Sequence, residues 1–165
     1  MLLVTDGMHL HMQDGISVCA ACKAIGNLTL SMSNLTEEAG GLVAVQSILN
    51  CMQQHIENEY VQEQACITFS NLTFSDDLHA AAADAGVISL IIDAMQRHNT
   101  SPGVQAEACG LLHNLSCGPV GRRCRRQMQE DGRTEAAVLA AFIRHKGNQR
   151  VEREARDALV IFLMN

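Results

Sequence analysis

The stretch Val61 to Thr73, VQEQACITFSNLT, returns in altered form at a nearly fixed distance along the chain. VQAEACGLLHNLS (Val104 to Ser116) begins 43 residues later, and SVCAACKAIGNLT (Ser17 to Thr29) begins 44 residues earlier. A degraded copy, VEREARDALVIFL, begins at Val151. Ala65 aligns with Ala21, Ala108 and Ala155, Phe69 with Ile25, Leu112 and Leu159, and Leu72 with Leu28, Leu115 and Phe162. Self-similarity at such a period means one supersecondary unit used several times. No copy can bury its apolar face alone, so the copies must stack into a solenoid.

The spacing inside a copy defines its local structure. Ala65, Cys66, Phe69 and Leu72 fall at i, i+1, i+4 and i+7, one stripe of a helix. Gln64, Ile67, Asn71 and Phe74 point away from that stripe, and Asn27 and Asn114 hold the place of Asn71. A carboxamide offers one acceptor oxygen and two donor hydrogens. One per turn of a solenoid makes a row of polar hooks.

Composition sets what the core can be made of. Hydrophobic residues make up 47% of the 165, yet aromatics are 3% and Trp is absent, so small aliphatic and sulfur side chains must fill the interior. No apolar run approaches the ~20 residues of a membrane-spanning helix, and the opening MLLV lacks the length and basic start of a secretory signal. Seven cysteines is an odd count, and Cys22, Cys66 and Cys109 share one position on the buried stripe. They are expected to behave as small hydrophobes in a reducing compartment, which places the chain in the cytoplasm or nucleus. The sequons at Asn27, Asn71 and Asn114 belong to the repeated helix, and with Asn34 they are not taken as glycosylation sites.

Met8-His9-Leu10-His11 matches Met52-Gln53-Gln54-His55, Met95-Gln96-Arg97-His98 and Phe142-Ile143-Arg144-His145, each nine residues before the Asn helix opens. Residues 1–165 therefore read as a single array: a partial repeat at 1–30 and fuller repeats at 31–73, 74–116 and 117–163. Each fuller unit is expected to hold three helices. In the unit 74–116, a short helix over Asp76 to Asp84 ends at Gly86. A second runs from Val87 to about Arg97, and Ser101 and Pro102 open the long Asn helix. Gly40-Gly41 and Gly132 are expected to play the part of Gly86 in the neighbouring units.

Short helix, Gly, second helix, turn, then V-Q-x-x-A-C-x-x-x-x-N-L-[ST] resembles the armadillo repeat of proteins such as importin alpha and beta-catenin. Ala83 to Ser116 is the clearest unit, and the resemblance covers nearly the whole chain. It implies an all-α, right-handed superhelical solenoid in which the third helices line a concave groove. It also implies that Asn27, Asn71 and Asn114 grip the backbone of an extended peptide, with Lys23, Ile67, Gln64 and Glu107 beside them. Two departures qualify the likeness. Where importin alpha carries Trp four residues before the Asn, this chain has Lys23, Ile67 and Gly110, which speaks against classical import cargo. In the last unit Ile161 replaces the Asn.

Charge is unevenly spread. Residues 1–121 hold two basic side chains against twelve acidic, and residues 122–165 hold ten against six. The acidic part carries all three Asn rungs, so a basic or neutral peptide is the electrostatically matched partner. The run Arg122-Arg123-Cys124-Arg125-Arg126, without aromatic interleaving, reads as a solvated helix face, and no nucleic-acid partner is expected. Leu159 to Met164 is six apolar residues in a row. Read as helix, it brings Ile161 and Met164 to the surface. The chain is then expected to continue into further repeats or to self-associate through that end.

Chemistry-bearing patterns are few. Cys19 and Cys22 with His9 and His11 suggest a zinc set on paper, but the repeat accounts for Cys22 and His11 without a metal. His11, His55, His98 and His145 end the second helices, where imidazole is expected to bond the last carbonyls of its own helix. No nucleophile elbow or phosphate loop is present. The sequence thus points to a non-catalytic interaction module without cofactor. The alternative is a structural segment whose repeats stack on further solenoid.

Overall fold

In a computed structural model, residues 2–31 and 38–163 are described. Among them are helices α1 (Leu2–Leu10), α2 (Gly15–Ser31), α3 (Glu38–Gln54), α4 (Glu59–Leu72), α5 (Asp76–Asp84), α6 (Val87–Arg97), α7 (Pro102–Ser116), α8 (Gly118–Asp131), α9 (Thr134–Arg144) and α10 (Gln149–Leu159). A 3-10 turn, Val160–Leu163, follows, and no described residue is in a strand. No single described helix is long and apolar enough to cross a membrane; α5 and α6 reach that length only together, bent by 68°.

Local chemistry starts the long helices. Asn58 accepts from the backbone N–H of Tyr60 and Val61, Asn148 from that of Val151, and Asp14 from those of Ile16 and Ser17. Each satisfies donors that the first turn leaves without partners. Ser101 holds the same place before Pro102, but its hydroxyl makes no capping bond. Gly86 (φ 85) and Gly132 (φ 67) turn the chain between first and second helices in the left-handed region, where a Cβ is costly.

Gly41 departs from the expected pattern. Helix α3 runs through Gly40-Gly41 without a break, and Gly41 is buried. A Cβ at Gly41 would stand 2.6 Å from a methyl carbon of Leu78. The glycine lets α5 come close instead of turning the chain. The first helix expected for this unit falls largely on residues 32–37, outside the described part.

The four long helices α2, α4, α7 and α10 lie side by side and parallel. Thr68 Oγ1 donates to the Cys22 carbonyl at 3.0 Å, the Asn71 amide nitrogen lies 3.1 Å from where a Gly26 Cβ would be, and the Asn58 amide nitrogen 2.8 Å from that of Gly15. A similar sequence offset at three heights fixes the common direction of α2 and α4, and the pairs Glu107–Arg150 and His113–Asp157 do the same for α7 and α10. Inward-facing Val61, Ala65, Cys66, Phe69 and Leu72 of α4 are fully buried, as are Val104, Ala108, Cys109, Leu112 and Leu115 of α7. At about 25 cal/mol per Å² of buried apolar surface, this continuous core is the main stabilising term.

Two polar positions tie the second helix of a unit to the long helix of the same unit. Gln62 Nε2 donates to the carbonyls of Met52 (2.9 Å) and His55 (2.8 Å), and Gln105 Nε2 to those of Met95 (2.9 Å) and His98 (3.0 Å). The glutamine near the start of α4 and of α7 thus closes the end of the second helix before it. The histidines do not bond their own helix. His55 Nε2 donates to the Met12 carbonyl at 2.6 Å, His98 to Ile56 at 2.6 Å, and His145 to Asn99 at 2.9 Å. Each ring reaches back into the preceding unit.

The C-terminal expectation is corrected. Helix α10 stops at Leu159, and the tighter 3-10 turn changes the angular phase, so Ile161 is 1% exposed and belongs to the core. Ile161 is therefore not a surface for self-association. Met164 lies outside the described residues.

Candidate functional site

The row of amides is assembled by the side-by-side packing of α2, α4 and α7. The apolar stripe holds each helix face down, which brings Asn71 and Asn114 to a half-buried position and leaves Asn27 exposed. Among the described residues, none of the three side chains hydrogen-bonds to another. Gly26 makes the close approach of Asn71 possible, since a side chain there would press on the amide. Nothing in the sequence marked Gly26 for this, because Ser70 and His113 occupy the equivalent places.

The neighbouring positions differ along the row. Lys23 is exposed, Ile67 half-buried, and Gly110 leaves a dip whose missing Cβ would sit 3.1 Å from a carboxylate oxygen of Glu154. Gln64 is half-buried. Glu107 is nearly enclosed, its side chain 15% exposed, and forms an ion pair with Arg150. Burial pushes the Glu107 carboxyl above its ordinary range; Arg150 pulls it back, and Glu63 and Glu154 add to the rise. Glu63 lies directly against Gly103 of α7. Glu63, Glu107 and Glu154 thus place carboxylates on three successive long helices, with Arg150 the counter-charge of Glu107.

His113, next to Asn114, points its Nδ1 at the Asp157 carbonyl (3.2 Å), and its Nε2 lies 3.8 Å from the exposed Cys117 thiol. His9 contacts Ser47 Oγ at 3.1 Å. Among the described residues no group of three or more His, Cys, Asp or Glu could hold a metal ion. On the arginine run, Arg123 pairs with Asp84 and Arg125 donates to the Ser116 carbonyl, so two of the four are engaged in packing α8.

Stacked three-helix units with Gly turns and a recurrent N-L-[ST] helix end define an armadillo-type solenoid, a fold of protein-interaction scaffolds. The chain belongs to the family described as the LRRK2 ARM repeat, whose model matches residues 4–165. No curated protein and no solved structure gives a significant match.

Proposed function

We propose that this chain is a non-catalytic scaffold that holds an extended peptide along Asn27, Asn71 and Asn114. The observation behind this reading is the register: three side-chain amides, with no hydrogen-bond partner among the described residues, recur at one repeat position on the adjacent helices α2, α4 and α7. Each can take an N–H and a C=O from a peptide backbone at once. Helices packed ~8–10 Å apart give a row of roughly 16–20 Å, which about six extended residues span at ~3.3 Å each. Glu63, which makes no ion pair among the described residues, favours a basic or neutral sequence. Seven free thiols, five of them buried, suit a reducing cytoplasmic setting.

The test is binding of the purified chain to an array of extended hexapeptides of graded charge. Asn71→Ala should weaken binding by ~0.5–1.5 kcal/mol, roughly two- to twelvefold, with little change in melting temperature. An Asn71→Ala protein that binds normally but melts much lower would make Asn71 a structural residue. A second reading, stacking on further repeats or on another copy, draws on the first layer. There Leu3 (88%), Leu10 (82%) and Ile16 (82%) stand exposed. Sedimentation of the wild type and Leu10→Asp across concentration separates it from the first.

A further inference from the structure

The second helices hold a cavity that the amide row does not use. It has a volume of about 250 Å³ and is lined by Met95, Gln96 and Asn99 from the α6 side, Ala137, Ala140, Ala141 and Arg144 of α9, and Gln105. The repeat itself explains how this space arises. One layer earlier, the positions of Ala137, Ala140 and Arg144 are held by Leu90, Asp93 and Arg97, against Ile56 and Gln62 in place of Asn99 and Gln105. There Leu90 packs on the core, and the Gln62 Oε1 is sealed from solvent. Arg97 is engaged by Glu57, and Arg133 reaches Asp93. In the later layer Leu90 has become Ala137, Asp93 has become Ala140, and Thr100 stands where Glu57 did. The apolar plug and the carboxylate partner are lost together.

Four polar residues line the space, Gln96, Asn99, Gln105 and Arg144, and the last two have polar atoms to spare. Gln105 is only 2% exposed and lines the cavity, and its Nε2 is spent on the Met95 and His98 carbonyls, so its Oε1 is an acceptor with no partner among the described residues. Arg144 has no ion pair or hydrogen bond among the described residues, and Lys146 follows close in sequence. The apolar part of the wall is made of the methyl groups of Ala137, Ala140 and Ala141 and the Met95 thioether. Below the ~300–1,000 Å³ of drug-sized sites, the space suits one amino-acid-sized group.

We propose that this cavity binds a small aliphatic carboxylate that carries an N–H donor: the aliphatic chain on Ala137, Ala140 and Met95, the carboxylate on Arg144, the N–H to Gln105 Oε1. A leucine-like C-terminal residue of a peptide and a free aliphatic amino acid share this chemistry. The site is separate from the amide row and stands or falls without it.

The experiment is an NMR titration of the whole chain with N-acetyl-leucine, N-acetyl-leucinamide and free leucine, following the backbone amides of Ala137, Ala140 and Ala141 and the side-chain amide of Gln105. Saturable shifts confined to these groups are expected with N-acetyl-leucine. The leucinamide, which lacks the carboxylate, should bind at least fivefold more weakly. Arg144→Gln, on an exposed side chain, should cost up to about tenfold. Ala137→Leu restores the plug seen one layer earlier and should abolish binding with the spectrum still dispersed. Preference for N-acetyl-leucine over leucine assigns the site to a chain terminus, the reverse to a free amino acid. Equal binding of acid and amide to wild type, unchanged shifts in Ala137→Leu, or no saturable shift with either acid would overturn the proposal.

Discussion

Gln62→Glu changes one atom type at a fully buried site and tests the tie between second and long helix directly. Gln62 is 0% exposed and places Nε2 at 2.9 and 2.8 Å from two carbonyl oxygens. A carboxylate would set oxygen against oxygen at both contacts, so the folded state must bind a proton. Taking the ordinary Glu value of ~4.3, protonation costs about 1.4 kcal/mol per pH unit above it. That is ~1 kcal/mol at pH 5 and ~3.7 kcal/mol at pH 7. One hydrogen bond is lost even when the acid is protonated, adding ~1 kcal/mol. The sign follows from linkage: the folded variant holds a proton that the unfolded chain releases above ~4.3, so the variant weakens relative to wild type as pH rises. Urea unfolding of both proteins at pH 5, 6 and 7 should give a loss of about 2 kcal/mol that grows to nearly 5. A small loss independent of pH would show that the side chain turns to solvent, and the tie between second and long helices would be refuted.

Other perturbations follow from the same geometry. His79 is buried, bonds the Leu115 carbonyl at 3.0 Å, and is pushed to lower basicity by burial. The unfolded chain therefore binds more protons below ~6.5. Wild-type stability should fall as pH drops through that value, and His79→Gln should flatten this part of the profile in thermal melts. Burial pushes the Cys109 thiol up to about 12, and Cys66 rises for the same reason. A thiol reagent at pH 8 should label exposed Cys117 first and reach Cys66 and Cys109 only on unfolding, as mass spectrometry of the labelled peptides would show. Cys66→Ser should lower stability by ~1–3 kcal/mol and Cys66→Ala by less, measured by urea titration. Glu57→Ala, which removes the solvent-exposed partner of Arg97, should cost under ~1 kcal/mol in the same assay.

The long helices were legible because a buried stripe leaves the same mark in every copy, as Phe69, Leu112 and Ile25 show. The row of Asn27, Asn71 and Asn114 could be placed on one side of that stripe for the same reason. Gly41 was misread because a glycine pair looks like a turn whether it ends a helix or admits Leu78. Ile161 was misread because an apolar run has no phase of its own, and a switch from α to 3-10 geometry rotates it inward. Gln62 and Gln105 stood in plain repetition, yet a polar residue at a helix start reads as surface until the carbonyls it reaches are located. The histidines carried the right position and the wrong partner, since the carbonyl they meet belongs to another unit. The cavity at Ala137 required the neighbouring layer for comparison.

The reach of the histidine rings sets how the molecule would bear load. His55, His98 and His145 each tether one unit to the one before it, across 43, 42 and 46 residues. Tension applied at the two termini would load the packed junctions that these tethers cross, and the weakest junction would open first without releasing the next. Pulled in a single-molecule instrument, the chain should lengthen in discrete steps, each set by the contour of one repeat. A spring built this way shortens again as soon as neighbouring units regain contact.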